Sequence, residues 1–245
     1  MPCLASTCRP ALLGYLVLLS AILVFSASCT VDISPPGPLQ TEAQSIPMDK
    51  SEMVRVDLNM GAGELRLKGG SPELMEAEFR YHRSSLKPLI RYELSGFRGR
   101  LTVEQPSSHH SNNMGDYSWD LRLSDQKPID LSVHFGAGEA RLEAGTLDLR
   151  SVEIDMGVGE LRLDLRGTPK RDYGVNIRGG VGEATVYLPS SAGIIADASG
   201  GIGGIQVRGL QKSEGHYVND AYGHAKSTIR VDVRGGVGAI NLIAE

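Results

Sequence analysis

One stretch, Val152 to Leu165 (VEIDMGVGELRLDL), limits what this chain can fold into more than any other. Val152, Ile154, Met156 and Val158 are apolar in steps of two, with Glu153, Asp155 and Gly157 between them. The phase then slips at Gly159-Glu160, and Leu161, Leu163 and Leu165 carry the apolar positions onward. Side chains alternate across a strand, so this pattern describes two half-buried strand segments meeting at a glycine step, not a helix of period 3.6. The pattern occurs six times, with glycine pairs at Gly61-x-Gly63, Gly136-x-Gly138, Gly157-x-Gly159, Gly180-x-Gly182, Gly201-x-Gly203 and Gly236-x-Gly238.

From Gly136 to Gly201 consecutive steps lie 21, 23 and 21 residues apart. A fixed period near 21 marks a solenoid, in which each unit buries its face against its neighbours. The expected fold is all-β: a single-stranded parallel β-helix of about nine rungs with Gly-x-Gly corners and a less regular N-terminal part. The residue between each glycine pair is apolar (Ala62, Ala137, Val158, Val181, Ile202, Val237), and the alternation predicts that it points inward and stacks on its counterpart in the next rung. From Leu74 to Leu123 the strands lack the glycine step, and Gln105 to Ser118 reads as a polar loop. A second interruption, Gln211 to Ser227 (QKSEGHYVNDAYGHAKS), separates the last two copies.

The start of the chain differs in kind. Ala11 to Ser28 is free of charge and follows Arg9, as in an export signal, and it ends Phe25-Ser26-Ala27-Ser28-Cys29. Small residues before a cysteine fit a bacterial lipobox, in which Cys29 would be lipidated; cleavage after a small residue and retention as an uncleaved anchor are the competing readings. Residues 1–29 are therefore read as a lipoprotein signal peptide, 30–50 as a flexible, proline-bearing tether, and 51–245 as the β-solenoid domain, irregular over 51–128 and regular over 129–245. The three cysteines, Cys3, Cys8 and Cys29, all precede that domain, which excludes a disulfide, a thiol nucleophile or a cysteine metal site within it. A net charge of −4 with few aromatics argues against nucleic-acid binding.

The glycines do not read as a nucleotide loop, since each pair precedes a strand and not the helix whose N-terminus would hold a pyrophosphate. Glu64, Glu139, Glu160 and Glu183 occupy one position of the repeat, with Arg66, Arg141 and Arg162 two residues on. Glu139, Arg141, Glu160, Arg162 and Glu183 form the candidate outer ladder, self-compensated by ion pairing, or alternatively a ligand or cation ladder. In the second insert, His216, Tyr217, Asn219, Asp220, Tyr222 and His224 make a candidate binding loop; Gly215 and Gly223 argue against the helix on which His216, Asp220 and His224 could share a metal. His109-His110 with Asp116, and Ser84-x-x-Lys87 without its partner motifs, complete the candidates. No catalytic residue, metal or cofactor is assigned.

The segments GAGELRL, WDLRLSDQKPIDLSVHFGAGEARL, MGVGELRLDL, GGVGEATVYLPSSAG, SGGIGG, and YVNDAYG before GGVGAINL resemble the bacterial toast-rack family, which is related to the C-terminal domain of LiaF-type cell-wall-active antibiotic response proteins. The resemblance spans about Met48 to Glu245 and implies a β-helical stack on the cell envelope, with no catalytic residues to carry over. The expected function is thus a non-enzymatic envelope lipoprotein acting as a binding or scaffold module, outer-membrane in a two-membrane cell. Its expected partners are a membrane through the lipid anchor and an envelope protein or glycan, with no nucleic acid or nucleotide. A carbohydrate-active or metal-dependent enzyme on the same fold, and an envelope-stress regulatory partner, are the alternatives.

Overall fold

A computed structural model describes residues 37–106 and 116–245; the signal segment, Cys29 and His109-His110 lie outside the described residues. In chain order the strands are β1 (Gln40–Ile46), β2 (Met53–Lys68), β3 (Met75–Tyr81), β4 (Leu89–Ser95), β5 (Arg98–Glu104), β6 (Ser118–Leu123) and β7 (Pro128–Glu143). They continue with β8 (Asp148–Asp164), β9 (Tyr173–Leu188), β10 (Gly193–Ile202), β11 (Ile205–Arg208), β12 (Gln211–Ser213), β13 (His216–Val218) and β14 (Thr228–Ala244). The only helical element among the described residues is a single 3-10 turn, Ser84–Leu86.

The six glycine-step copies are the long strands. β2, β7, β8, β9 and β14 each run 16 or 17 residues, and β10 with β11 is the same unit broken at Gly203-Gly204. They pair in parallel and in register: Gly63 lies beside Gly138, Gly138 beside Gly159, Gly159 beside Gly182, and Gly182 beside Gly238. Burial follows the slip. On β8, Val152, Ile154 and Met156 are buried before it and Leu161 and Leu163 after it. The second glycine of every pair has positive φ, from +122° at Gly138 to +141° at Gly203, a region that L-residues avoid. The inward side chains of both halves merge into one apolar core that runs the length of the stack.

Four expectations change. The residues between the paired glycines do not point inward: Val158 is 54% exposed and Ile202 74%, with Val181 and Val237 close to half exposed. A positive-φ glycine breaks the pleat, so counting in twos stops being a guide to facing at the residue beside it. Residues 40–46, read as part of the tether, are β1, paired antiparallel with β3 from Gln40–Tyr81 to Ile46–Met75. The stretch from Leu74 to Leu123 is mixed: β5 and β6 pair in parallel with the two halves of β2, as one broken rung, while β4 on β5, β3 on β6 and β1 on β3 are antiparallel additions at the edges. Finally, the copies do not stack in chain order. β14 lies between β9 and β10, parallel to both.

Candidate functional site

Three features outside the core carry side chains capable of recognition or chemistry. The first is the polar outer face. Glu64 meets Arg66 and Glu139 meets Arg141, both at 2.5 Å, as the spacing predicts. The next pair does not form: the Arg162 guanidinium lies over the Tyr187 ring, 4.5 Å from its centroid. Glu183 instead accepts from Asn241 Nδ2 (2.7 Å) and Thr185 Oγ1 (3.2 Å). On the other flank, Asp155 is shared by His134 (3.2 Å) and Arg178 (3.0 Å) from the two adjacent strands. These are exposed pairs of the kind worth about 0–1 kcal/mol each, a solvated face and not a convergent site.

The second is the loop after β11. Its β12–β13 hairpin caps β10 antiparallel, with Val218 opposite Ile195 and Tyr217 opposite Ala196. His216 reaches Asp197 at 2.6 Å. Asn219 is buried; its Oδ1 accepts from Ile194 N (2.8 Å) and its Nδ2 donates to Ala192 O (2.7 Å). Asp220 accepts from Gln211 (3.2 Å), while Tyr222 and His224 close tight turns through their backbone N–H groups. Of the six candidate residues in this loop, Asn219 is a structural pin. No three His, Cys, Asp or Glu side chains among the described residues come together as a metal would require.

The third is a feature that a literal reading of the alternation misses. Ala62, Ala137, Val158, Val181, Val237 and Ile202 are neighbours in that order across six parallel strands. At about 4.8 Å per strand they form an apolar ladder roughly 24 Å long, bounded on each side by glycine. The sequence signal for it is the glycine on both sides of each of these residues. Behind the ladder, the inward position preceding each glycine pair is Met60, Phe135 and Met156 in three strands and Gly179, Gly235 and Gly200 in the others. The missing side chains leave a cavity of about 50 Å³ lined by Met156, Ile177, Val233 and Ile240. That volume suits a water or two and no substrate.

A buried polar cluster lies apart from these. Lys127 Nζ donates to Asp49 Oδ1 (2.9 Å), Ser51 O (2.6 Å) and Ser51 Oγ (2.8 Å), and Tyr92 OH donates to Asp49 Oδ2 (2.6 Å). A serine beside a lysine can be a nucleophile and its base, but here the lysine donates to Asp49 and to the Ser51 carbonyl as well, and both Ser51 and Lys127 are buried away from any substrate. Burial alone would raise the Asp49 pKa; hydrogen bonds from Ser51, Tyr92 and Lys127 outweigh it and hold the carboxyl below the usual carboxylate range. The cluster fastens the segment after β1 to the start of β7.

Residues 35–187 match the family described as the N-terminal domain of toast_rack, DUF2154, and residues 136–242 match the C-terminal domain of the cell wall-active antibiotics response protein LiaF. The chain is similar to a crystal structure of a candidate cell adhesion protein from Clostridium sporogenes, at 34% identity and TM-score 0.79, covering 85% of this chain and 100% of that one. Candidate adhesins from Bacteroides fragilis (11% identity, TM-score 0.33, 84% and 98% covered) and Parabacteroides distasonis (12%, 0.23, 84% and 97%) are more distant. No curated protein matches.

Proposed function

The chain belongs to the toast-rack family, and from that premise we propose that it is a non-enzymatic binding or scaffold module of the bacterial cell envelope. The observation that carries this reading is the apolar ladder from Ala62 to Ile202. Contiguous apolar surface on an otherwise charged exterior marks contact with another molecule. Ionisable groups on the outer face are paired side by side along the strands and do not converge on a cleft, which suits adhesion better than turnover. The occupant we assign to the ladder is an extended segment of another envelope protein. The cell adhesion description of the 34%-identical structure supports the same class of role.

The finer architecture we infer is a β-helical stack whose six glycine-step units turn at the Gly-x-Gly pairs. β7 and β8 are parallel neighbours in register yet are joined only by residues 144–147. Such a link spans at most about 18 Å, while a straight strand of this length would extend about 53 Å. The strand therefore has to fold back on itself, and its positive-φ glycine, about two-thirds of the way along, is the place for it. Lipid on Cys29 is the proposed attachment to the membrane; Cys29→Ser is expected to move the protein from the membrane to the soluble fraction.

The test of the contact surface uses purified protein and isolated envelope fractions, comparing the wild type with Val158→Asp/Val181→Asp. Both positions face water, so the double variant is expected to melt like the wild type and to lose at least tenfold in binding. Equal binding by the two would remove the ladder as the contact surface. Release of reducing ends from envelope glycan by the wild type would replace the binding reading with an enzymatic one.

A further inference from the structure

Most of the exposed large apolar residues fall into two sets with different charged neighbours. The ladder runs beside Glu64, Glu139, Glu160 and Glu183, which face water on the same strands. The second set is Leu39 (50% exposed), Leu89 (49%), Leu94 (48%) and Phe97 (55%), and the sequence around its last three members is basic. From Arg80 to Arg100 the sequence has six Lys or Arg against one acid, Glu93, in a chain whose net charge is −4. Arg80, Lys87 and Arg91 pair with Glu78, Glu42 and Glu104. Arg83, Arg98 and Arg100 take part in no ion pair among the described residues, and Arg98 and Arg100 are exposed.

Topology puts these residues at one end of the sheet. The first half of β2 pairs with β5, and β5 with β4; the second half of β2 pairs with β6, then β3, then β1. β4 and β1 are thus the outermost strands there. Phe97 sits in the β4–β5 turn with Leu94 just before it and Arg98 just after. The described chain also enters at this end: Gly37 O accepts from His82 Nδ1 at 2.6 Å, directly before Arg83. Gly37 lies eight positions after Cys29 in sequence, a reach of at most about 28 Å.

We propose that this end, formed by the β4–β5 hairpin with Arg83, Lys87 and Leu89, is a membrane-docking surface that takes an anionic lipid bilayer. Leu94 and Phe97 enter the headgroup region and Arg98 and Arg100 pair with lipid phosphates. Each basic residue near an anionic surface contributes roughly fivefold in partitioning, so Arg83, Arg98 and Arg100 together supply about a hundredfold. The ladder is less suited to the same purpose, since Arg66 and Arg141 beside it are committed to Glu64 and Glu139. Docked this way, the stack stands away from the membrane with the ladder and the β10–β11 end free. The docking surface rests on the envelope reading for the presence of a bilayer, and not on lipid at Cys29.

The test uses the full chain carrying Phe97→Trp, with the buried Trp119 as an unquenched baseline. The protein is mixed with neutral phosphatidylcholine vesicles or with vesicles containing phosphatidylserine, each with brominated acyl chains, and floated on a density gradient. Quenching of the introduced tryptophan in anionic vesicles is expected, with loss of quenching in neutral vesicles, in 1 M salt, and in the Arg98→Glu/Arg100→Glu background. A chain that floats with anionic vesicles while the introduced tryptophan stays unquenched overturns the docking surface and leaves the tether standing. Quenching in anionic vesicles without flotation on neutral ones keeps the docking surface and removes the tether. Equal quenching in both lipids, or no flotation with either, overturns the proposal.

Discussion

A Cβ added at Gly159 would sit 1.9 Å from the carbonyl oxygen of Gly138, in a backbone with φ +140°. One added at Gly179 would meet only Met156 Cε at 3.6 Å and Arg234 O at 3.9 Å, beside the small cavity and without positive φ. Gly159→Ala is therefore expected to destabilise by about 3 kcal/mol or more, because both strain and a backbone clash oppose it. Gly179→Ala is expected to stabilise by about 0.5 kcal/mol, since it narrows the unfolded ensemble at no cost in contacts. Urea melts of the two variants check both; a Gly159→Ala midpoint equal to wild type would refute the assignment. The repeat separates the two: Gly159 closes a glycine pair, while Gly179 stands where other copies carry Met60, Phe135 or Met156. Parity finds the core, which is why the buried residues from Val152 to Leu163 are legible in the sequence, but it cannot say which way Val158 faces once the pleat is broken.

Also at the scale of single residues, Glu42 and Asp49 make the N-terminal end of the sheet acid-sensitive. Hydrogen bonds from Lys87 and then Tyr81 lower the Glu42 pKa to about 2, against the opposing effect of burial. Asp49 is depressed as well, burial being outweighed by Ser51, Tyr92 and Lys127. A carboxyl whose folded pKa lies below its unfolded value stabilises fully above the unfolded value, near 4, and less as pH falls toward the folded one. Stability is expected to decline between about pH 4.5 and pH 2, and Asp49→Asn to flatten that decline while lowering stability at pH 7. Melting temperatures across that range test it; a wild-type slope in Asp49→Asn would assign the acid response elsewhere.

Among the elements, the β12–β13 hairpin is the one whose purpose the sequence disguises. Its histidines and acids suggest a ligand, whereas Asn219 ties it to β10 through two buried backbone hydrogen bonds. The ambiguity is physical: an asparagine that caps an edge and one that binds a ligand look alike until its partners are known. Asn219→Ala leaves Ile194 N–H and Ala192 C=O buried without these partners, at about 1–3 kcal/mol. Faster hydrogen exchange at Ile194, with little change at Val231 on β14, is the expected result; unchanged exchange at Ile194 would show that the hairpin is held by other contacts. The β1–β3 pairing is hidden for another reason. Residues 40–46 (QTEAQSI) are mostly polar because β1 is an edge strand, with Thr41, Ala43 and Ser45 exposed on one side, so it lacks the apolar alternation of a buried strand.

At the scale of the whole molecule, the stack order has the greatest consequence. In a sequential solenoid the last repeat contacts one neighbour, and its loss merely exposes a new end. Here β14, the last strand in sequence, holds β9 on one side and β10 and β11 on the other. Nothing in a 21-residue period reports which copy lies beside which, so this order is illegible in the sequence. Ile229, Val231, Val233, Ile240 and Leu242 on β14 are all buried. At about 1.5–3 kcal/mol for each buried side chain they contribute roughly 8–15 kcal/mol, comparable to the entire net stability of a typical domain. Truncation after Ser227 is therefore expected to abolish cooperative folding of the whole chain, not to fray one end. The measurement is far-UV circular dichroism with a thermal melt of the truncated protein. A sigmoidal melt with wild-type β content would show that β9 and β10 close on each other without β14, and that the stack tolerates loss of its last strand as a sequential solenoid does.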